Sequence, residues 1–205
     1  MNEYATAIQA LKAADPKLGA IIDRVGSCTL DQSQHPGTVL DSLARSIIYQ
    51  QLSTKSATAI YLRFLKLYEN GMSAEAILNT PDESLREVGL SRQKIVYVKD
   101  LAQNVLIGLP TLEELELLDD ETIVQTLTKI KGIGRWTVQM LLIFRLHRWD
   151  VLPVDDLGIC AGIRRVYELG ELPDRKTVLE IGKAWKPYST IASWYLWRSL
   201  ELPET

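Results

Sequence analysis

The segment KIKGIGRWTVQMLLIFRL, residues 129–146, decides the fold, because a Gly-Ile-Gly step in it leads directly into a long apolar run. Glycine at the end of a helix permits a tight turn. The run that follows is apolar on nearly every side of a helix and should therefore lie centrally in the protein. Backbone N–H groups at the start of this second helix, with its dipole, can hold a phosphate. A plain turn between helices explains the glycines equally well.

The composition is that of a folded globular protein, with 46% hydrophobic and 24% charged residues in a chain of 205. Neither the N-terminal sequence nor the longest apolar run is typical of a secretory signal or a membrane span. We therefore expect a protein without membrane contact, cytoplasmic and, depending on the cell, associated with the nucleoid or nuclear. Cys28 and Cys160 lie far apart and outside any CxxC motif, so cysteine alone builds neither a zinc site nor an iron–sulfur cluster.

The distribution of charge is more informative than its sum. A net charge of −3 argues mildly against a general polyanion binder. Residues 122–149, however, contain five lysines and arginines and no acidic residue, whereas residues 113–121 are strongly acidic. The basic segment contains the Gly-Ile-Gly step, so a contact with nucleic acid is expected there.

Apolar residues recur at spacings of three and four, which predicts an all-α fold of ten or eleven helices. Capping signals place Thr80 at the N-cap of a short helix, with Pro81 at its first position and Gly89 just beyond its end. A second capping box begins at Thr111. The predicted helices cover residues 4–14, 16–25, 38–51, 54–69, 81–88, 91–106, 120–130, 135–146, 156–167, 176–185 and 189–200.

Four segments together resemble one family: SIIYQQLSTKSA, VGLSRQKIVYVKDLA, LTKIKGIGRWTVQMLLIF with VLPVDDLGI, and WKPYSTIASWYLWR. Their order and content are similar to the helix-hairpin-helix (HhH-GPD) DNA glycosylases, in the alkyladenine (3-methyladenine) branch. The resemblance implies one glycosylase unit over residues 1–205, with two helical subdomains flanking a DNA-binding cleft. One subdomain would span residues 37–136 and end in the hairpin at 127–138. The other would combine residues 1–36 and 137–205.

The resemblance implies that Asp156 is the catalytic carboxylate, with Asp155 as a variable neighbour. A fixed carboxylate stabilises the oxocarbenium-like state that forms when a base leaves, and it can also activate water. An N-cap role is the plain alternative for Asp156, and both roles are compatible. Lyase-active members carry a nucleophilic lysine where this chain has Trp136. A monofunctional glycosylase, which leaves the abasic site uncut, is therefore implied.

Aromatic residues match the family's base pocket at Trp136 and Trp197, with Tyr49 as a further candidate. Alkylated purines such as 3-methyladenine are cationic, and a cation over an aromatic face gains about 0.5–2 kcal/mol. The alternative is that the aromatic residues belong to the core, and we expect this for Trp185 and Trp194.

The DNA contacts implied by the resemblance lie in three loops. Extruding a base costs stacking energy, and a wedge must fill the gap in the duplex; this role aligns with Gln51. Ser91 has an equally good interpretation as a helix cap, and Lys94 could reach the DNA backbone. The expected DNA-binding residues are Gln51, Leu52, Ser53, Ser91, Lys131, Gly132, Gly134, Arg135 and Thr137.

One cofactor is implied, a structural Na+ or K+ held at the hairpin by the carbonyls of Thr128, Ile130 and Ile133. No other cofactor is required, and no iron–sulfur cluster is expected. The chain departs from the family at Lys131, where proline is usual, and at Ser189, where arginine is frequent.

The function expected from these features is base excision repair, by hydrolysis of the N-glycosidic bond of alkylated purines in duplex DNA. We expect the protein to act as a monomer. Two alternatives remain open. One is a non-catalytic module that binds DNA damage through the same hairpin, and the other is a glycosylase for deaminated or mispaired bases.

Overall fold

The computed structural model describes residues 3–30, 37–68 and 71–203, and the regular structure in these ranges is helical, as predicted. No helix in the described ranges is long and apolar enough to cross a membrane. The helices are α1 (Glu3–Ala14), α2 (Pro16–Val25), α3 (Val39–Tyr49), α4 (Thr54–Leu65), α5 (Ala74–Asn79), α6 (Asp82–Glu87), α7 (Arg92–Leu106), α8 (Leu112–Glu116), α9 (Asp120–Leu127), α10 (Arg135–Phe144), α11 (Leu157–Tyr167), α12 (Arg175–Gly182), a short 3-10 helix (Lys183–Trp185) and α13 (Ser189–Ser199).

The chain divides into two compact units. One, here called the middle unit, comprises residues 35–141, and the other, the terminal unit, combines residues 1–34 with 142–205. The second boundary falls inside α10, so this helix contributes its first turns to the middle unit and its last residues to the terminal unit.

Local capping signals set most of the helix starts. The Thr38 hydroxyl accepts from the Asp41 N–H while the Asp41 carboxylate accepts from the Thr38 N–H, and Thr111 with Glu114 forms the same reciprocal box. Each such cap is worth about 1 kcal/mol to its helix. The capping box predicted at Thr111 is therefore confirmed.

The predicted cap at Thr80 is wrong. Its hydroxyl donates to the Ala76 carbonyl at 2.7 Å and closes the last turn of α5, a six-residue helix that the sequence did not predict. Pro81 occupies the N-cap position of α6, with no side-chain cap. A threonine hydroxyl can serve the end of one helix or the start of the next, and sequence spacing does not distinguish the two. The predicted helix at 176–185 is also divided, into α12 and the 3-10 helix.

The middle unit is organised around α7, which packs against α3 and α5. Four of its residues form a buried stripe at helical spacing, Ile95, Val98, Leu101 and Ala102. Polar side chains on another face of α7 remain available for the loops around it.

In the terminal unit, α13 is almost completely buried and packs against α11 and α2. Its approach to α11 is close, because a Cβ added at Gly162 would lie 2.8 Å from the carbonyl oxygen of Leu196. Only glycine permits this separation of the two helices.

A buried carboxylate joins three parts of the terminal unit. Asp15, 7% exposed, accepts from the Leu18 N–H at 3.0 Å through one oxygen. Its other oxygen accepts from the Trp185 indole N–H at 2.8 Å and from the Tyr167 hydroxyl. Burial, and then the hydrogen bond to Asp15, raise the pKa of Tyr167, so this phenol stays a donor. The carboxylate thus ties the start of α2 to the end of α11 and to the 3-10 helix.

Replacing Asp15 with Asn should therefore destabilise the protein. The amide N–H2 of Asn would face donors where the carboxylate presents an acceptor, leaving at least one buried donor unsatisfied. We expect the free energy of unfolding, measured by urea denaturation, to fall by about 2–4 kcal/mol. Asp23→Asn is the matched control, because Asp23 is exposed and pairs with Lys12 at the surface; it should change stability by about 0.5 kcal/mol or less. Equal losses in both variants would contradict this role of Asp15.

Candidate functional site

Asp156 stands at the N-cap of α11 with an extended backbone, φ −76° and ψ 123°. Its Oδ1 accepts from the Ile159 N–H at 2.8 Å. Its own N–H donates to the Pro153 carbonyl at 3.0 Å, so a short turn after the proline presents the carboxylate. The capping role considered for Asp156 is therefore real, and it involves one carboxylate oxygen.

The same oxygen has a second donor. The indole Nε1–H of Trp197 donates to Asp156 Oδ1 at 2.9 Å. The Trp197 ring stacks on Phe144, with centroids 5.9 Å apart and planes 23° from parallel. Trp197 is predicted to line a base pocket, and this role stays a prediction; the structure shows that Trp197 orients the carboxylate. Phe144, which fixes the Trp197 ring, was missed because its sequence context is simply that of a buried apolar helix.

Gly158 makes the contact between Trp197 and Asp156 possible. A Cβ at this position would lie 2.9 Å from Trp197 Cδ1 and 3.0 Å from Asp156 Oδ1. Sequence reasoning also missed this residue, although a signal was available. Gly158 and Gly162 form a G-x-x-x-G pattern on α11, and small residues four apart allow a neighbouring helix to approach closely.

The two adjacent carboxylates have different environments. Asp155 is exposed and pairs with Arg175 at 2.6 Å, whereas Asp156 is bound to the start of α11 and to Trp197. One turn further on, the Cys160 thiol donates to the Val154 carbonyl at 3.7 Å. Burial, and then the charges of Asp156 and Asp155, raise the pKa of Cys160, so the thiol remains protonated.

In the hairpin, the two glycines have different tasks. Gly132 adopts φ +83°, and a Cβ there would lie 2.2 Å from the Tyr97 ring, so both the turn and the packing require glycine. A Cβ at Gly134 would meet no atom within 4 Å. Gly134 immediately precedes α10, whose first N–H groups lack partners within the helix. The exposed glycine lets a phosphate approach the start of the helix closely.

Two of the three basic side chains of the hairpin have acidic partners in the middle unit. Lys131 donates to Asp100 through its backbone N–H and its ammonium, both at 2.9 Å. Arg135 forms a two-pronged pair with Glu121, at 2.7 and 3.0 Å. Lys129 is exposed. The sequence predicted DNA contacts for Lys131 and Arg135, and the structure shows that both side chains are paired with carboxylates.

These ion pairs also change the pKa values of the two carboxylic acids, Asp100 and Glu121. Burial would raise the pKa of Asp100, but the hydrogen bonds and charge of Lys131 outweigh it and lower the pKa. The hydrogen bonds from Arg135 lower the pKa of Glu121. Both carboxylates therefore stay ionised at neutral pH and keep their partners.

The other predicted residues of the hairpin are placed as follows. Trp136 is 47% exposed in the first turn of α10, and Thr137 beside it is buried. Of the carbonyls expected to hold a cation, that of Ile130 accepts from the Ile133 N–H at 3.1 Å. A carbonyl has two lone pairs, so it retains one for a cation.

The loop between α3 and α4 contains Gln51, the residue predicted to act as the wedge. Gln51 is exposed and adopts φ +58°, a left-handed conformation that is uncommon for a residue with a side chain. Leu52 beside it is 40% exposed. Ser53 caps α4 by accepting from the Ser56 N–H at 3.3 Å.

At the start of α7, Ser91 is the N-cap and accepts from the Lys94 N–H at 3.3 Å. Lys94 does not extend toward solvent as expected. Its ammonium donates to the carbonyls of Ile48 and Gln50, at 2.6 and 2.8 Å, and burial lowers its pKa. Lys94 is therefore engaged inside the middle unit, because the last carbonyls of α3 lack partners within their own helix.

Tyr49 has neighbours on several sides within the middle unit. Its hydroxyl shares a hydrogen bond of 2.8 Å with Thr58, the Arg45 guanidinium lies 4.2 Å from its ring centroid, and Tyr61 packs edge-on at 6.2 Å. One face of the ring is thus covered by a cation.

A family model described as "HhH-GPD superfamily base excision DNA repair protein" matches residues 44–187, more than half of the chain. The chain belongs to this superfamily.

Similar proteins extend over almost the whole chain. "DNA-3-methyladenine glycosylase 1" of Schizosaccharomyces pombe is 39% identical over 197 residues, which are 95% of this chain and 86% of that protein. The structure of the S. pombe 3-methyladenine DNA glycosylase with abasic DNA matches with a TM-score of 0.88 at 38% identity, covering 96% of this chain and 97% of that one. A Bacillus halodurans DNA-3-methyladenine glycosidase matches with a TM-score of 0.84 at 37% identity, covering 94% and 88%. The resemblance to the 3-methyladenine branch is confirmed.

The structure accounts for both departures from the HhH-GPD pattern. Lysine at position 131 supplies a backbone N–H to Asp100, which proline cannot do. Ser189, at the start of α13, donates to the Asp150 carboxylate. Next to it, the Thr190 hydroxyl donates to the Arg148 carbonyl and accepts from the Val151 N–H. These bonds fasten α13, which carries Trp197, to the segment that leads toward Asp156.

The contact at Gly158 is testable. In Gly158→Ala, the methyl group must displace the Trp197 ring or the carboxylate, so the indole hydrogen bond should be lost. The Trp197 indole N–H resonance, assigned by NMR, should shift and its exchange with water should accelerate. The free energy of unfolding should fall by about 1–2 kcal/mol, although alanine is normally favoured over glycine in a helix.

Gly170→Ala is the matched control, because a Cβ at Gly170 meets no atom within 4 Å. An unchanged Trp197 resonance in Gly158→Ala would show that the close approach is not needed.

Proposed function

We propose that this protein is a monofunctional DNA-3-methyladenine glycosylase, which hydrolyses the N-glycosidic bond of alkylated purines in duplex DNA during base excision repair. The observation that carries the proposal is the Asp156 carboxylate, held by the Ile159 N–H and the Trp197 indole. It is supported by the S. pombe relative named "DNA-3-methyladenine glycosylase 1", because the match covers 86% of the length of that protein.

The chemistry follows from the charge of the substrate. An alkylated purine is cationic and leaves readily, so the main demand on the enzyme is to stabilise the positive charge that develops at the sugar C1′. Asp156 would supply this negative charge and take a proton from the attacking water. Two donors on one oxygen fix the carboxylate before the reaction, so little reorganisation is needed during it.

The base itself would be held by aromatic faces. Trp197 and the exposed Trp136 offer indole rings, on which a cationic base gains about 0.5–2 kcal/mol. Tyr49 is the weaker candidate, because Arg45 covers one of its faces. Because position 136 carries Trp instead of a lysine, the proposed reaction ends at the abasic site without strand cleavage.

Duplex DNA would be gripped mainly through the backbone of the hairpin. The N-terminal end of α10, with Gly134 just before it, suits a phosphate, because a Cβ at Gly134 meets no atom within 4 Å and a phosphate can approach closely. The carbonyls of Thr128, Ile130 and Ile133 would hold a monovalent cation, which supplies positive charge for a phosphate when bound. Gln51 would fill the gap left by the extruded base. The protein would act as a monomer in the compartment that contains the DNA.

Asp156→Asn tests the catalytic role. Asparagine keeps the shape of the side chain and an oxygen for the Ile159 and Trp197 donors, and it removes the charge and the base. We expect single-turnover release of methylated base from a methylated duplex to fall by about 100-fold or more, with DNA affinity retained. Asp155→Asn, which breaks only the exposed pair with Arg175, is the control and should retain release.

A panel of lesions completes this experiment: 3-methyladenine, 7-methylguanine, 1-methyladenine, hypoxanthine, ethenoadenine and uracil. Release of the methylated bases without strand breaks is expected. Full activity of Asp156→Asn would refute the mechanism. Binding without release of any base would indicate a damage-binding module, and release of only hypoxanthine or uracil would indicate a different substrate class.

The ion pairs of the hairpin lead to a separate prediction about the salt dependence of DNA binding. In Glu121→Gln, a neutral amide replaces the carboxylate that pairs with Arg135, which should favour a contact of the guanidinium with a phosphate. Duplex affinity should rise, and the slope of log K against log salt should steepen by about 0.9, the value for one added phosphate contact. Fluorescence anisotropy with an undamaged duplex at several salt concentrations measures this slope.

Glu180→Gln removes the same charge from an exposed pair with Lys183 in the terminal unit and is the control. If both variants steepen the slope equally, the effect is one of net charge and does not arise at the hairpin.

A further inference from the structure

Three polar side chains on one face of α7 reach two loops of the middle unit. Lys94, Tyr97 and Asp100 follow one another at intervals of three, so they lie side by side along the helix. Lys94 binds the loop between α3 and α4, Tyr97 packs against Gly132, and Asp100 binds Lys131. The same helix face therefore carries both the loop that holds Gln51 and the hairpin.

A direct link joins the two loops as well. The Gln50 side-chain amide donates to the Gly132 carbonyl at 2.8 Å, across 82 residues of sequence. Gln50 is also the C-cap residue of α3, and its own carbonyl is one of the two that Lys94 binds. Lys94, Gln50 and Gly132 thus form a continuous chain of hydrogen bonds from α7 through the loop to the hairpin.

The Lys94 contact lies directly beside the backbone of Gln51. The carbonyl of Gln50 belongs to the peptide unit that joins Gln50 to Gln51, so fixing this oxygen restricts the φ angle of Gln51. That angle is +58°, a conformation that costs about 1 kcal/mol or more for a residue with a side chain. A cation at the C-terminal end of α3 also interacts favourably with the helix dipole.

We propose that Lys94 and Gln50 are positioning residues, which hold the wedge residue Gln51 in register with the hairpin so that one loop fills the duplex while the other grips its backbone. This inference rests on the proposed function, because it concerns base extrusion. Neither side chain needs to touch the DNA. Their effect reaches the substrate through the backbone of the loop and the carbonyl of Gly132.

The test compares a paired lesion with one that is already unstacked. Lys94→Met keeps the length of the side chain and removes its donors, and Gln50→Leu removes the link to Gly132. In each variant, single-turnover release from a duplex with one paired 7-methylguanine should fall by about tenfold or more. Release of the same lesion from a one-nucleotide bulge should fall much less, because extrusion from a bulge is easier.

A fluorescent probe of base extrusion, which does not depend on base release, distinguishes this proposal from the proposed function. With 2-aminopurine placed beside a paired target nucleotide, insertion of the wedge should raise fluorescence with the wild-type protein, and most of this rise should be lost in both variants. If the wild-type protein raises the fluorescence but releases no base, the proposed function fails while the positioning role stands. If the wild-type protein produces no rise, the positioning role is refuted.

Lys99→Met is the matched control, since Lys99 lies on the same helix and pairs with Asp82 at the surface. It should leave release and fluorescence unchanged. Equal losses on the paired and bulged lesions in Lys94→Met would indicate a merely structural role and overturn the proposal. Where Lys94→Met unfolds, as judged by circular dichroism, Gln50→Leu decides the outcome by the same comparison.

Discussion

The hydrogen bond between the Trp197 indole and Asp156 is the interaction on which the rest of the terminal unit depends. It requires the start of α11 and the last turns of α13 to lie within contact distance, which the glycines at 158 and 162 permit. The two ends of α13 are held accordingly, by Ser189 and Thr190 at its start and by stacking of Trp197 on Phe144 near its end. A half-buried tryptophan thus orients a carboxylate, and the packing of the helices around it makes this contact possible.

In the middle unit, the proposed contact with DNA has to form without an excess of positive charge. Pairing of Lys131 with Asp100 and of Arg135 with Glu121 leaves the hairpin far less basic than its sequence suggests. In the proposed complex, phosphate binding would then rely on backbone N–H groups, which carry no sequence information and would hold the duplex in a defined place. An enzyme that must search long stretches of undamaged DNA benefits from such moderate, non-specific affinity.

Local physics explains how much of this was predictable. The helix-hairpin-helix, the cap at Thr111 and the position of Asp156 before a helix all follow from neighbours a few residues apart, and the family pattern added the roles. The partners of Lys94, Lys131 and Ser189 lie 31 to 46 residues away, where spacing gives no guidance. Thr80 shows that spacing is also ambiguous at short range, because its hydroxyl could serve the end of α5 or the start of α6, and it serves the end of α5. The role of Gly158 could have been predicted, since its four-residue spacing from Gly162 indicates close packing of two helices.

The groups around Asp156 also bear on which bases suit the proposed reaction. The Trp197 N–H is already donated to the carboxylate, and the Cys160 thiol, whose pKa is raised by burial, donates to the Val154 carbonyl. Neither is placed to protonate a departing base. A neutral purine needs such a proton before it leaves easily, whereas an alkylated purine carries its positive charge from the start. The proposed selectivity for alkylated bases would therefore follow from the chemistry of the carboxylate and its fixed donors, in addition to any fit of the ring between aromatic walls.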